Sequence, residues 1–296
     1  MTLTLEKLKL NIIPNEESWI PRSLENRLNK SNDIKACDRT LKSISQKLGD
    51  YYLIVGRPVS EIKKMYHVSS LMHEYFFKTY AENWLPLSTL MKLSLSDHNE
   101  ILQRLCKMRK IEYYQDQNGQ LGYLNAFYNI LEGDWEGLKD TIVYLKNIRG
   151  DYSDFFYPEV HFVIFEGFIN KDQSAIEYGL NELLQDKYHK KRIADSIEEK
   201  FIAFEVLAYA KQAWKYGIEV WKYGDKINPD SPYIPAAMLP YEPLPEYTIP
   251  YKFLYEFYQQ QGVNWRYDPV YPELQGENPK KGKGGFFGGL FGKKSS

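Results

Sequence analysis

Apolar residues recur at helical spacing along most of this chain. Between Ser23 and Leu48 the positions Leu24, Leu28, Ile34, Leu41, Ile44 and Leu48 form a stripe that predicts an amphipathic helix, with Gly49 placed to stop it. After the Gly56-Arg57-Pro58 break, Ser60 is the expected cap of a second helix running to about Tyr80. Its inward positions are Ile62, Met65, Val68, Ser69, Met72, Tyr75 and Phe76. Ser96 is the expected cap of a third, through Ile101, Leu102, Leu105 and Met108. The polar Gln115–Gly122 stretch with its Asn118-Gly119 turn signal predicts a helix–loop–helix connection, ahead of a β-hairpin built on Ile111–Tyr114.

The middle of the chain repeats. Phe127–Asp134 precedes an amphipathic helix through Leu138, Ile142 and Leu145; 38 residues on, Phe165–Asp172 precedes one through Ile176, Leu180 and Leu183. Asp134 and Asp172 both sit where a helix N-cap belongs, accepting from otherwise orphaned amides. A period near 38 is that of stacked helical hairpins, each burying its apolar face against its neighbours. The pattern therefore predicts a right-handed, repeat-like helical layer.

A long helix is expected next, from Ser196 to about Gly217, opened by a Ser196-Ile197-Glu198-Glu199 capping box. Beyond it, Asn228–Pro250 carries Pro229, Pro232, Pro235, Pro240, Pro243, Pro245 and Pro250 among tyrosines. Proline at that density cannot continue a helix and predicts extended chain wrapped over the core. A short helix from Tyr251 to Gln261 follows. The fold class is thus all-α: a multi-helix body of stacked hairpins with an extended Pro/Tyr-rich segment. One domain is expected over residues 1–275, with N-terminal helices in 1–110 and the hairpin part in 111–275, followed by a disordered Lys/Gly/Phe-rich tail over 276–296.

Composition sharpens this picture. The 296 residues include 25 Tyr, 15 Phe and 6 Trp, enough rings to require a packed core or a contact surface. Net charge is −1, which excludes a grossly basic nucleic-acid binder. The tail alone carries +4, from Lys280, Lys281, Lys283, Lys293 and Lys294 against Glu277, so the body is mildly acidic. The N-terminal decapeptide alternates polar and apolar residues, unlike a signal peptide. No apolar run reaches the ~18 residues of a spanning helix, so the expected compartment is the cytoplasm. Phe286, Phe287, Leu290 and Phe291 with the tail lysines are the one place where a membrane contact is conceivable.

Chemistry is sparse. His67, His73, His98, His161 and His189 show no metalloprotease spacing, and His161 of Glu159-x-His161, in an apolar and aromatic run, reads as a core or boundary histidine rather than a ligand. Cys37 and Cys106 read as small buried hydrophobes, too few for a disulfide framework. Gly292-Lys293 lacks the glycine, the Ser/Thr and the following helix of a phosphate loop. No nucleophile, base and orienting group combine, so no catalytic residue, metal or cofactor is expected.

From residue 127 to 250 the sequence resembles a known family. The hairpin at Leu131-Glu132-Gly133-Asp134, the helix Phe201–Ala210, the ending Tyr216-Gly217-Ile218-Glu219-Val220, the stretch Asp230–Leu239 and Pro243-Leu244-Pro245-Glu246-Tyr247 together are similar to the immunity protein 49 family of bacterial polymorphic toxin systems. The resemblance implies a non-enzymatic helical protein that binds and neutralises a cognate toxin in the producer's cytoplasm. An acidic body suits a basic toxin such as a nuclease, with no direct contact to nucleic acid. Candidate partner contacts are turns where acids and rings mix, namely Asp151, Asp154 and Tyr157, and Glu242, Glu246 and Tyr247. The alternative function is a helical-repeat adaptor or chaperone that docks peptides, or an effector before its delivery.

Overall fold

The computed structural model describes residues 4–18, 34–80, 85–108, 120–148, 159–248 and 259. The chain enters through a short helix, α1 (Leu5–Lys7), capped by Thr4, which widens into a π-helical turn over Leu8–Ile12. Helices α2 (Ile34–Val55) and α3 (Val59–Tyr80) form a long antiparallel hairpin. Gly49 does not stop α2. It lies inside the helix, where a Cβ would come within 2.9 Å of the Tyr66 ring, so its missing side chain lets the two helices close. The stop is Gly56, at φ +73°, with the Arg57 N–H reaching back to the Tyr52 carbonyl at 2.9 Å. Ser60 does not cap α3 either. The helix starts one residue earlier, and the Pro58 carbonyl accepts its first bond, from Ile62.

Helix α3 is the spine. It packs against α2, α4 (Leu87–Ser94) and α5 (Asn99–Lys107), and buries polar Lys63, His67, His73 and Glu74 along with its apolar stripe. Ser96 lies between α4 and α5 rather than at a cap. Its hydroxyl donates back to the Leu93 carbonyl at 2.8 Å, and α5 begins three residues later.

The predicted hairpins are α6 (Gln120–Glu132) with α7 (Trp135–Ile148) and α8 (Val160–Asn170) with α9 (Gln173–Leu183). Their turns match bond for bond. The Asp134 N–H donates to the Asn129 carbonyl at 2.9 Å, and the Asp172 N–H donates to the Gly167 carbonyl at 2.8 Å. The left-handed turn residue is Gly133 in one and Lys171 in the other. Asp134 Oδ1 accepts from the Gly137 N–H at 2.9 Å, and Asp172 Oδ1 accepts from the Ala175 N–H at 3.1 Å. Leu138, Ile142, Leu145, Ile176, Leu180 and Leu183 are all buried in the core, and α7 packs on α8.

Helix α10 (Asp186–Asp195) leads to a departure from expectation. There is no long helix from Ser196 and no capping box: the Ser196 hydroxyl donates to Glu198, and Ile197–Lys200 is a single 3-10 turn. The Ala203 N–H turns away to the Tyr233 carbonyl, and α11 (Phe204–Lys215) starts only then. Gly217, at φ +75°, ends α11 as expected. A two-residue antiparallel pair, β1 (Lys222–Tyr223) and β2 (Lys226–Ile227), then introduces the Pro-rich segment. That segment runs over the helices as extended chain with one 3-10 turn at Ala236–Met238, burying Ile234, Met238 and Leu239. The helix expected over 251–261, the 111–119 connection and the 276–296 tail lie outside the described residues, except Gln259, which is helical.

Candidate functional site

Of the six residues singled out by sequence, Asp151, Asp154 and Tyr157 lie outside the described residues. Glu242, Glu246 and Tyr247 fall together on the extended strap. Glu242 and Glu246 point their side chains to solvent, as do Pro243 and Pro245, while Tyr247 is half-buried. What fixes this stretch is a set of buried charges far away in sequence.

The corner between α4 and α5 is the anvil. Ser94 and Ser96 both return their hydroxyls to carbonyls of α4, and Asp97 takes a left-handed backbone with φ +60°, a conformation uncommon outside glycine and costly in isolation. Its carboxylate is fully buried. Oδ2 lies 2.8 Å from Lys63 Nζ of α3 and 3.0 Å from Lys211 Nζ of α11. The same ammonium groups reach the strap: Lys63 donates to the Glu242 carbonyl at 2.6 Å, and Lys211 to the carbonyls of Met238 at 2.6 Å and Pro240 at 2.9 Å. The Glu242 N–H donates to Asp97 Oδ2, and the Tyr241 hydroxyl donates to the Asp97 carbonyl. Burial pulls Lys211 down to about 8, against the pull of Asp97 in the opposite direction.

Beside this clasp sits a ring stack. Tyr247 lies parallel to His98, with centroids 4.1 Å apart, and its hydroxyl donates to the Ser96 carbonyl at 2.7 Å. His98 Nδ1 is 2.8 Å from His67 Nδ1, so one ring donates and the other accepts. Burial, with His98 and Arg104 adding to it, holds His67 well below the ordinary imidazole range. Tyr247 thus spends its hydroxyl and one ring face inside the molecule.

A second polar seam runs through the neighbouring helices. Asp50 takes Lys92 at 2.7 Å and the Tyr66 hydroxyl at 2.8 Å. Glu205 takes His161 at 2.7 Å and Arg192 at 3.2 Å; burial alone would raise its carboxyl, and these two partners hold it below the usual range. His161 was expected to be a core or boundary histidine and is fully buried, whereas Glu159 is exposed. Cys106 is a buried hydrophobe as expected, and the Cys37 side chain lies outside what is described.

None of Lys63, Asp97 and Lys211 was distinguishable in the sequence as anything but a solvated charge. In the Ser94–Asn99 run the sequence pointed only to Ser96, as a helix cap. Among the described residues no three His, Cys, Asp or Glu side chains converge as a metal site, and no helix is long and apolar enough to cross a membrane. The charged groups of the clasp face protein carbonyls and each other, which suits fastening the strap. No family model matches the sequence, and neither the curated proteins nor the solved structures contain a significant match.

Proposed function

We propose that the chain is an immunity-type protein that binds one basic toxin domain and neutralises it by occlusion in the producer's cytoplasm. The observation carrying this reading is that two exposed carboxylates, Glu242 and Glu246, are mounted on a strap whose backbone is already fixed by Lys63, Lys211, Asp97 and Ser96. A surface ordered before encounter loses little conformational entropy on binding, and displayed negative charge accelerates association with a basic partner. The resemblance to the immunity protein 49 family points the same way, and the mildly acidic body supplies the long-range field.

The adaptor alternative asks for a face that accepts extended peptides in exchange. Here the extended chain held against the helices is the protein's own, anchored by buried Ile234, Met238 and Leu239. The test is co-expression with the toxin domain encoded beside the gene. Restored growth together with a one-to-one complex supports neutralisation; continued toxicity with no complex sinks it.

A further inference from the structure

Where the strap meets the helices, two imidazoles stand nitrogen to nitrogen. His67 of α3 and His98 at the α4–α5 corner bring their Nδ1 atoms to 2.8 Å, and each neutral ring carries a single N–H. The contact is a hydrogen bond only while one hydrogen lies between the two nitrogens. A hydrogen on both turns two donors against each other and sets two positive charges side by side.

Tyr247 of the strap rests on this pair. Its ring lies parallel to His98, with centroids 4.1 Å apart, and 4.9 Å from the ring of His67. Its hydroxyl donates to the Ser96 carbonyl at 2.7 Å and accepts the Leu244 N–H at 3.1 Å. One side chain thus ties the Leu244–Tyr247 turn of the strap to the corner. His67 is buried within α3, whereas His98 is half-buried at the corner, so His98 is the ring that can swing outward.

The groups around the pair oppose a second proton. Arg104 of α5 acts on both rings and disfavours a positive charge on either. Glu100 of α5 and Glu74 of α3 favour one on His98, but Glu74 is engaged by Arg104 and Lys78. Asp97, next to His98 in the chain, is taken by Lys63 of α3 and Lys211 of α11. On the strap, the Tyr241 hydroxyl donates to the Asp97 carbonyl, and the Glu242 and Glu246 side chains point to solvent. Burial is the largest influence on both imidazoles and holds both below the ordinary range, so the closed arrangement takes up protons later than an opened one.

We propose that the His67–His98 pair is an acid-operated latch on the strap. With one hydrogen between the two Nδ1 atoms, Tyr247 stays seated on His98. Uptake of a proton by both rings parts them, unseats Tyr247 and releases the Leu244–Tyr247 turn, while the Asp97 clasp keeps Met238–Glu242 in place. The clasp is built from ammonium, carboxylate, backbone and phenol groups and contains no imidazole. The latch does not depend on what the chain binds.

The test is hydrogen exchange at residue resolution on the full-length chain, from about pH 7.5 to about pH 5, with each rate divided by the intrinsic rate at that pH. The Leu244 N–H reports the latch because it donates to the Tyr247 hydroxyl, and the Glu242 N–H reports the clasp because it donates to Asp97. An imidazole kept neutral when closed, and titrating at about 6.5 when open, makes opening about tenfold or more easier at about pH 5. Protection of Leu244 therefore falls by about that factor on acidification, while that of Glu242 changes less than about twofold. His98→Phe keeps a ring beneath Tyr247 and His67→Phe keeps one inside α3. Neither new ring can take up a proton, so the Leu244 step disappears in both variants, whereas His73→Phe retains it. Far-UV spectra at each pH establish that the chain is folded, and the comparison of Leu244 with Glu242 in the parent decides the matter even where a variant does not fold. Leu244 protection that falls no further than that of Glu242, or a step that persists in a folded His67→Phe or His98→Phe protein, overturns the proposal.

Discussion

Lys211 and Asp97, 114 residues apart in sequence, meet at 3.0 Å inside the protein with neither side chain exposed. Removing one partner of a buried pair leaves an uncompensated charge. Asp97→Ala would strand two ammonium groups at once, and it also puts a Cβ-bearing residue without a local hydrogen-bonding side chain at φ +60°. The expected loss is about 3–5 kcal/mol, read as a lower urea midpoint. A midpoint within error of the parent would show that the clasp does not hold the strap.

The matched turns predict matched energetics. Asp134→Ala and Asp172→Ala each remove one side-chain cap and should each cost about 1 kcal/mol. The two caps share no partner, so the double variant should lose about the sum. Equilibrium denaturation of the three variants decides this. A strongly unequal pair would mean that the hairpins, alike in geometry, differ in how their turns are supported.

Glu199 sets a pH dependence of known sign. Its carboxyl titrates higher in the folded chain than in the unfolded one, so the folded state holds the extra proton between the two values. That contribution is complete below the unfolded value and disappears as pH rises through about 7. Glu199→Gln keeps the shape without the charge. It should therefore gain about 2–3 kcal/mol over the parent at about pH 8, and almost nothing at about pH 4. Denaturant titrations at the two pH values check it; equal gains at both would refute the assignment.

His73 works in the opposite direction. Burial in α3 holds its imidazole down at about 3, while its Nδ1 faces the Ser69 carbonyl at 2.8 Å. The unfolded chain binds the proton first, so stability is complete above the ordinary histidine value and falls as pH drops toward about 3. His73→Phe, which fits beside Phe77, should flatten that acid limb by about one proton between roughly pH 6 and pH 4. A limb as steep as the parent's would place the acid sensitivity elsewhere, with the His67–His98 pair the next to examine.

The repeat was legible because each hairpin is written locally: a glycine or tolerant turn residue, an aspartate cap, and apolar residues at helical spacing within one unit. The strap was legible because prolines 229 to 245 forbid helix wherever they fall. Where local signals failed, a distant group had taken them over. Gly49 looks like a stop and serves Tyr66; Ser196 looks like a capping box, but the Tyr233 carbonyl claims the Ala203 amide before the helix begins. The clasp is the extreme case, since Lys63, Asp97 and Lys211 acquire their meaning only when three helices and the strap meet. Of the candidate contacts, Glu242 and Glu246 were singled out because acids and rings mix there, and both are exposed. The fastening that orders them leaves no trace in local sequence.

The most direct test of the proposed function is a calorimetric titration of the purified chain with whichever toxin domain a gene beside its own encodes, for the parent and for a Glu242→Lys/Glu246→Lys variant. The account predicts one-to-one binding at nanomolar or tighter dissociation constant, weakened about a hundredfold by the two charge reversals, with the loss concentrated at low salt. Absence of binding, or equal affinity of the two proteins, would contradict it.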